Sequence, residues 1–262
     1  MINILSEIIL VKRREIEILK EKSAYRIFEK SRFFSRETLS LSESICDRKR
    51  TGIIAEFKRR SPSGGILNKD ANVEVITEGY SGSGASGLSI LTDNHFFGGS
   101  CRDIELVRDH VSIPILRKDF IIDEIQVLES KASGADAVLL IAALLDREEI
   151  LNLSRLTRSL GMEVLLEVHS ERELDSVNKY VSIIGVNNRD LDTLTTDTRL
   201  SEYLAEKMPS DILRISESGI SDPQTVVSLR NAGYSGFLIG EYFMKKPDPV
   251  IAFKEFVKKI GK

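Results

Sequence analysis

Short aliphatic runs that halt on a polar group recur along this chain. They are Ile53-Ile-Ala-Glu-Phe-Lys58, Ile115-Leu-Arg-Lys-Asp-Phe120, Val164-Leu-Leu-Glu-Val168, Ile184-Gly-Val-Asn-Asn-Arg189, Leu213-Arg-Ile-Ser-Glu-Ser-Gly219 and Phe237-Leu-Ile-Gly240. A parallel strand covered on both faces is apolar throughout. Charges at the same end of several such strands are costly to fold around unless they converge. In a (β/α)8 barrel they do converge, because the C-terminal rim of the strands is where the active site is built.

The connecting segments carry a matching punctuation. Gly84, Gly134, Gly161 and Gly233 each precede an aliphatic or β-branched run, as expected of helices that end in the left-handed conformation just before a strand. Helix starts recur too: Asp146 with Glu149 and Ser170 with Glu173 read as capping boxes, Asp222 followed by Pro223 as an N-cap with proline at the first helical position, and Asp123 as the cap of a helix running to Gly134. These signals place strands near 53–57, 88–92, 114–118, 137–141, 163–167, 183–187, 213–217 and 237–240. The fold class expected is α/β, a (β/α)8 TIM barrel with an N-terminal helical extension. A doubly wound open sheet is the alternative, but its Gly-x-Gly-x-x-Gly fingerprint after a first strand is missing. The length of 262 residues suits one barrel domain spanning 1–262, with 1–50 as the extension. Within that extension Leu5, Ile8, Ile9, Ile16 and Leu19 share one helical face. The helix is expected to cap a barrel end rather than bind a partner. Because the eight units should contain their own core, deleting residues 1–45 is expected to leave most of the barrel folded but to impair catalysis.

Composition excludes several classes. A net charge of −3 gives no electrostatic reason for nucleic acid or an anionic membrane as partner. The uncharged run from Ala137 to Leu145 is too short to span a bilayer. Cys46 and Cys101 make no disulfide framework, and His95, His110 and His169 offer no metal-ligand spacing. A cytoplasmic protein with reduced thiols and no metal is expected.

The strand ends supply candidate chemistry. Glu56 and Lys58, two apart, leave the strand on one face. Lys118 ends the third strand and, beside another cation, is expected to have a lowered pKa. Glu167 ends the fifth in an apolar mouth, where its pKa is expected to rise. Asn187 and Arg189 offer amide and guanidinium donors suited to a carboxylate, while Asn188 between them should point away. Ser218-Gly219 and Gly240-Glu241 end the seventh and eighth strands before expected helix starts, the place where barrels hold a phosphate. Arg59-Arg-Ser-Pro-Ser-Gly-Gly65 reads as a lid loop.

With Ile54-Ala-Glu-Phe-Lys-Arg-Arg-Ser-Pro-Ser63, Leu91-Thr-Asp-Asn-His-Phe-Phe-Gly-Gly-Ser100, Leu116-Arg-Lys-Asp-Phe-Ile-Ile-Asp123, Leu165-Leu-Glu-Val-His169, Ile184-Gly-Val-Asn-Asn-Arg-Asp-Leu191 and Ser216-Glu-Ser-Gly-Ile220 in order, the chain resembles the indole-3-glycerol-phosphate synthase family over nearly its whole length. The resemblance implies a carboxy-lyase of tryptophan biosynthesis acting on 1-(2-carboxyphenylamino)-1-deoxyribulose 5-phosphate. It implies a small phosphorylated substrate, with no cofactor, no nucleic acid or membrane as partner, and no obligate protein partner. It also implies that Glu56, Lys58, Lys118, Glu167 and Asn187 line the reacting centre, and that Ser61, Arg189 and Ser218 bind polar parts of the substrate. Pro62, Leu91, Phe97, Phe120 and Leu139 would enclose the aromatic ring, and Gly219, Gly240 and the backbone of Glu241 would cradle the phosphate. Glu241 stands where a serine often helps, and a carboxylate facing a dianion would repel it. Two other readings stand beside this one. A related barrel isomerase, phosphoribosylanthranilate isomerase, would need an Asp–Cys pair at strand ends, and none is visible. A catalytically silent phosphate-binding barrel would have no physical need for these costly charges.

Overall fold

The computed structural model describes residues 4–22 and 24–261; residues 1–3, 23 and 262 of the expected domain and extension lie outside the described residues. Eight parallel strands close on themselves: β1 (Ile53–Phe57), β2 (Gly87–Leu91), β3 (Ile115–Lys118), β4 (Ala137–Ile141), β5 (Glu163–Val168), β6 (Ile183–Asn187), β7 (Leu213–Glu217) and β8 (Gly236–Ile239). Each pairs with its sequence neighbour, and β8 returns to β1 with Phe237 opposite Ile53. Every expected strand is present to within a residue. The helix-closing glycines Gly84, Gly134, Gly161 and Gly233 all have positive φ, which a side chain would oppose. Asp123, Asp146 and Asp222 cap the helices that follow them. The Ser170 cap is not made. The segment Glu171–Ser176 is a short 3₁₀ helix, and Glu173 instead takes the backbone N–H of His169 at 2.7 Å and the Ser170 hydroxyl at 3.0 Å.

The two-residue period of a strand divides the apolar residues between two cores. Ile53, Ala55 and Phe57 face the outer helices, whereas Ile54, Leu116, Leu139, Leu165, Ile183, Ile215 and Leu238 fill the barrel interior. The inner phase continues to the C-terminal end of each strand. It therefore delivers Glu56, Lys118, Glu167, Asn187 and Glu217 into one mouth.

The extension closes both ends. Its long helix, Ile4–Glu21, lays Ile4, Leu5 and Ile8 over the mouth. The chain then descends the barrel wall, and the short helix Leu41–Cys46 pushes Leu41 and Ile45 into the interior core from below. A Cβ on Gly87 would lie 2.6 Å from the Leu41 side chain, so that glycine leaves the space the plug occupies. This corrects the expectation of a self-sufficient barrel: deleting residues 1–45 would empty part of its core. Among the described residues no helix is long and apolar enough to cross a membrane.

Candidate active site

Every residue named for the reacting centre, the polar contacts, the aromatic wall and the phosphate cradle lines one cavity of about 460 Å³ at the C-terminal mouth. From β1, Glu56 accepts a hydrogen bond from Lys58 at 2.6 Å and another from Ser89 of β2 at 3.2 Å. Gly240, at the end of β8, faces this pair. A Cβ there would come within 2.6 Å of Glu56, so the glycine makes room for the carboxylate as well as for a ligand.

Across the mouth, Lys118 donates to Glu167 Oε2 at 2.8 Å. Asn187 donates to Glu167 Oε1 at 3.0 Å, and His169 Nε2 lies 3.4 Å from the same oxygen. The Lys118 ammonium is also 3.5 Å from Glu217 Oε2, too long for a good hydrogen bond. Neither Glu217 oxygen has a hydrogen-bond partner, although the residue is 1% exposed. Gly185 permits this: a Cβ there would lie 2.2 Å from Glu217 Oε1.

These neighbours set the protonation states. Burial alone would lower the pKa of Lys118, but Glu167, Glu217 and Glu56 outweigh it and raise it. Burial alone would raise that of Glu167, but Lys118, His169 and the Asn187 amide hold it down at about 2. Both directions reverse the sequence expectation, because each group meets an opposite charge that the isolated strands do not reveal. Glu217 goes the other way. Burial pushes it up to about 8; Lys118 opposes this, but the charges of Glu167 and Glu56 add to the rise. The mouth thus holds an ammonium, an ionised carboxylate and a neutral carboxylic acid side by side at neutral pH, the divided pair of carboxyls that marks acid–base sites.

Glu217 is the residue the sequence reading missed. It continues the inward phase of Leu213 and Ile215 in β7, and counting by twos would have found it. Ser218, just beyond it, has φ +65°, a left-handed conformation costly for a serine. Gly219 follows at φ +75°. Asn188 points away from the cavity as expected, donating to Ser216 Oγ at 2.9 Å and to the Ser218 carbonyl at 3.1 Å.

The remaining wall is mixed. Arg189 reaches Glu241 at 3.1 Å, and Lys245 reaches the other oxygen of Glu241 at 2.6 Å. The Glu241 charge is therefore met by two cations. On the opposite side Phe97 and Phe120 stand with ring centroids 6.1 Å apart beside Leu91 and Leu139. The segment after β1 is a ribbon, Arg60–Ser61 pairing with Gly65–Ile66, and Arg59 grips Asp103 through two bonds of 2.7 and 2.9 Å. Cys101 lies outside the cavity, its thiol pushed up to about 12 by burial, and Cys46 sits in the plug at the other barrel end. Neither supplies the Asp–Cys pair that the isomerase reading required.

An ammonium flanked by carboxyls of opposite protonation, in the mouth of a closed parallel barrel, defines an acid–base enzyme of the (β/α)8 class. The comparisons narrow that class. The sequence model of the family described as indole-3-glycerol phosphate synthase matches residues 5–256. A relative of that name from Bacteroides thetaiotaomicron is 48% identical over 98% of this chain and 99% of its own length. One from Polaromonas naphthalenivorans is 41% identical over 97% of this chain and 98% of its own. A solved structure described as "Native KDPGal structure" superposes with a TM-score of 0.57 at 14% identity, covering 79% of this chain and 91% of that one, a likeness of fold alone. The chain belongs to the indole-3-glycerol phosphate synthase family.

Proposed function

We propose that the mouth converts 1-(2-carboxyphenylamino)-1-deoxyribulose 5-phosphate to indole-3-glycerol phosphate, with loss of carbon dioxide and water. The observation that carries this reading is the Lys118–Glu167–Glu217 cluster, which combines a protonated acid and an ionised base within one small cavity. In the first step the ring carbon that bears the carboxylate attacks the ribulose ketone. A carbon–carbon bond forms and the carbonyl π electrons move to oxygen. Lys118 hydrogen-bonds that oxygen and gives it a proton as charge develops. Departure of carbon dioxide returns its bonding electrons to the ring and restores aromaticity. Glu167 then takes a proton from the methylene carbon beside the amine, the C–H electrons form the ring double bond, and the new hydroxyl leaves as water with a proton from Lys58. Asn187 keeps the Glu167 carboxylate turned towards its task.

Lys58, oriented by Glu56, serves as the second cation and proton donor for the departing hydroxyl. Glu217, neutral below about pH 8, donates a hydrogen bond to substrate. Arg189, Ser61 and Ser218 hold polar groups. The backbone at Gly219, Gly240 and Glu241 holds the phosphate, while the Glu241 carboxylate stays with Arg189 and Lys245. Phe97, Phe120, Leu91, Leu139 and Pro62 enclose the ring. We propose equally that residues 1–262 fold as one unit, since Leu41 and Ile45 of the extension are part of the barrel's inner core.

The test is direct. Purified protein and substrate should yield an indole product read by its ultraviolet fluorescence, against a chain that contains no tryptophan. A protein that binds the substrate and returns it unchanged would overturn the reading.

A further inference from the structure

Lys12 is a buried lysine in a helix that otherwise supplies apolar cover. It is 2% exposed, and its ammonium lies 2.8 Å from Asp93 Oδ2 and 2.9 Å from Asp119 Oδ1, with Glu15 at 2.9 Å on the outer side. Asp93 is itself fully buried, and Asp119 nearly so. Each of these carboxylates does a second job. Asp93 Oδ1 accepts the backbone N–H groups of Phe96 at 2.6 Å and Phe97 at 3.3 Å, capping the turn that presents Phe97 to the cavity. Asp119 accepts the N–H of Phe120 at 2.8 Å, and its other oxygen is held by Arg117 at 3.0 Å and by Thr92. One ammonium therefore ties the covering helix to the loop after β2 and to the loop after β3. It does so at the residues that fix Phe97 and Phe120.

The same helix places Ile8 one turn before Lys12, on the same face and over the cavity. Apolar residues in place of the whole cluster, Lys12 together with the carboxylates beneath it, would close this interface with less desolvation. A buried ion cluster adds a defined distance and register instead, a role best attested where packing alone would let elements slide.

We infer that Lys12 is a positioning residue for catalysis: through Asp93 and Asp119 it sets Phe97, Phe120 and Ile8 at the separation that receives the substrate's aminobenzoate ring. The inference rests on the proposed aromatic subsite and deepens it. Lys12 itself touches no reacting atom.

The test uses the full chain with two variants. Lys12→Met removes the ammonium but keeps length and apolar bulk. K12M/D93N also removes one stranded charge, while the asparagine oxygen still caps Phe96 and Phe97. In the indole-forming assay, K12M should raise KM by about tenfold and leave kcat within about threefold. The inhibition constant of 2-aminobenzoate should rise in parallel, and that of inorganic phosphate should not move. K12M/D93N should regain thermal stability without regaining affinity. If K12M binds substrate and 2-aminobenzoate as the wild type does, the inference falls alone. Recovery of affinity together with stability in K12M/D93N would also overturn it, because Lys12 would then serve folding only. A wild-type enzyme that forms indole yet is not inhibited by 2-aminobenzoate would instead overturn the aromatic subsite, and the inference with it.

Discussion

The two ends of this barrel treat buried carboxylates in opposite ways. At the bottom, Asp136 accepts from the backbone N–H of Leu39 and Ile115, each at 2.8 Å, and from the guanidinium groups of Arg36 and Arg108. Glu163 accepts from the Ser40 hydroxyl and the Ser42 N–H at 2.8 Å, and from the Ser42 hydroxyl at 3.1 Å. All four oxygens are partnered, and the donors include the extension, strand and helix residues that must be held together. At the mouth, Glu217 is equally buried and neither of its oxygens is hydrogen-bonded. Lys118 is stretched between Glu217 and Glu167. A fully satisfied buried carboxyl group fastens a structure. One left short of partners in a cavity keeps its bonding capacity for something that arrives later.

The comparison separates catalysis from stability, and substitutions at the two ends should divide accordingly. The largest effect is expected at Glu167→Gln, which keeps shape but cannot accept the proton. Turnover should drop roughly 100- to 10,000-fold, and rapid-quench sampling should show either no product or a ring-closed intermediate. Normal turnover would remove Glu167 from the role of base. At the other end, Asp136→Ala leaves the Arg108 guanidinium buried without its carboxylate. It should cost about 3 to 5 kcal/mol of unfolding free energy, measured by denaturant titration, while kcat at low temperature stays near the wild-type value. A large fall in kcat with intact stability would contradict the division between the ends.

The smallest effect is expected at Glu217→Gln, which preserves a hydrogen-bond donor. At pH 7 kcat/KM should change by less than about tenfold. The wild-type profile should decline above about pH 8, where Glu217 ionises, and the variant should lack that limb. Stability supplies an independent check. The pKa of Glu217 is higher folded than unfolded, so the folded state retains a proton that the unfolded chain has lost between about pH 4.5 and 8. Its contribution to stability is fully present below that window and is lost as pH rises through it. Glu167 has the opposite sign: its contribution is lost as pH falls from about 4.5 towards 2. Between pH 5 and 8 the wild type should lose stability relative to E217Q. A constant difference would show that Glu217 is ionised throughout.

The barrel was legible because its signals are local. Strand phase put Glu56, Lys118, Glu167 and Asn187 on one side, and glycine at each helix end gave the spacing. Protonation was not legible. The states of Lys118 and Glu167 depend on each other across the mouth, and no strand read singly contains that pairing. Lys12 stood in plain sight, four residues from both Ile8 and Ile16, yet a lysine in an apolar stripe reads as solvent-facing until Asp93 and Asp119 are seen beneath it. The plug was hidden for a related reason: Leu41 and Ile45 sit in a helix too short to show a periodic face.

The central claim is that Lys118, held as an ammonium between two carboxyls, is the acid of ring closure. Its most direct test is a single-turnover comparison of the wild type with Lys118→Met, with enzyme in excess over 1-(2-carboxyphenylamino)-1-deoxyribulose 5-phosphate and product read by indole fluorescence. Both proteins should bind the substrate, the wild type should form product, and the variant should form it roughly 100-fold more slowly or not at all. Product formation by the variant within about threefold of the wild-type rate would contradict the claim.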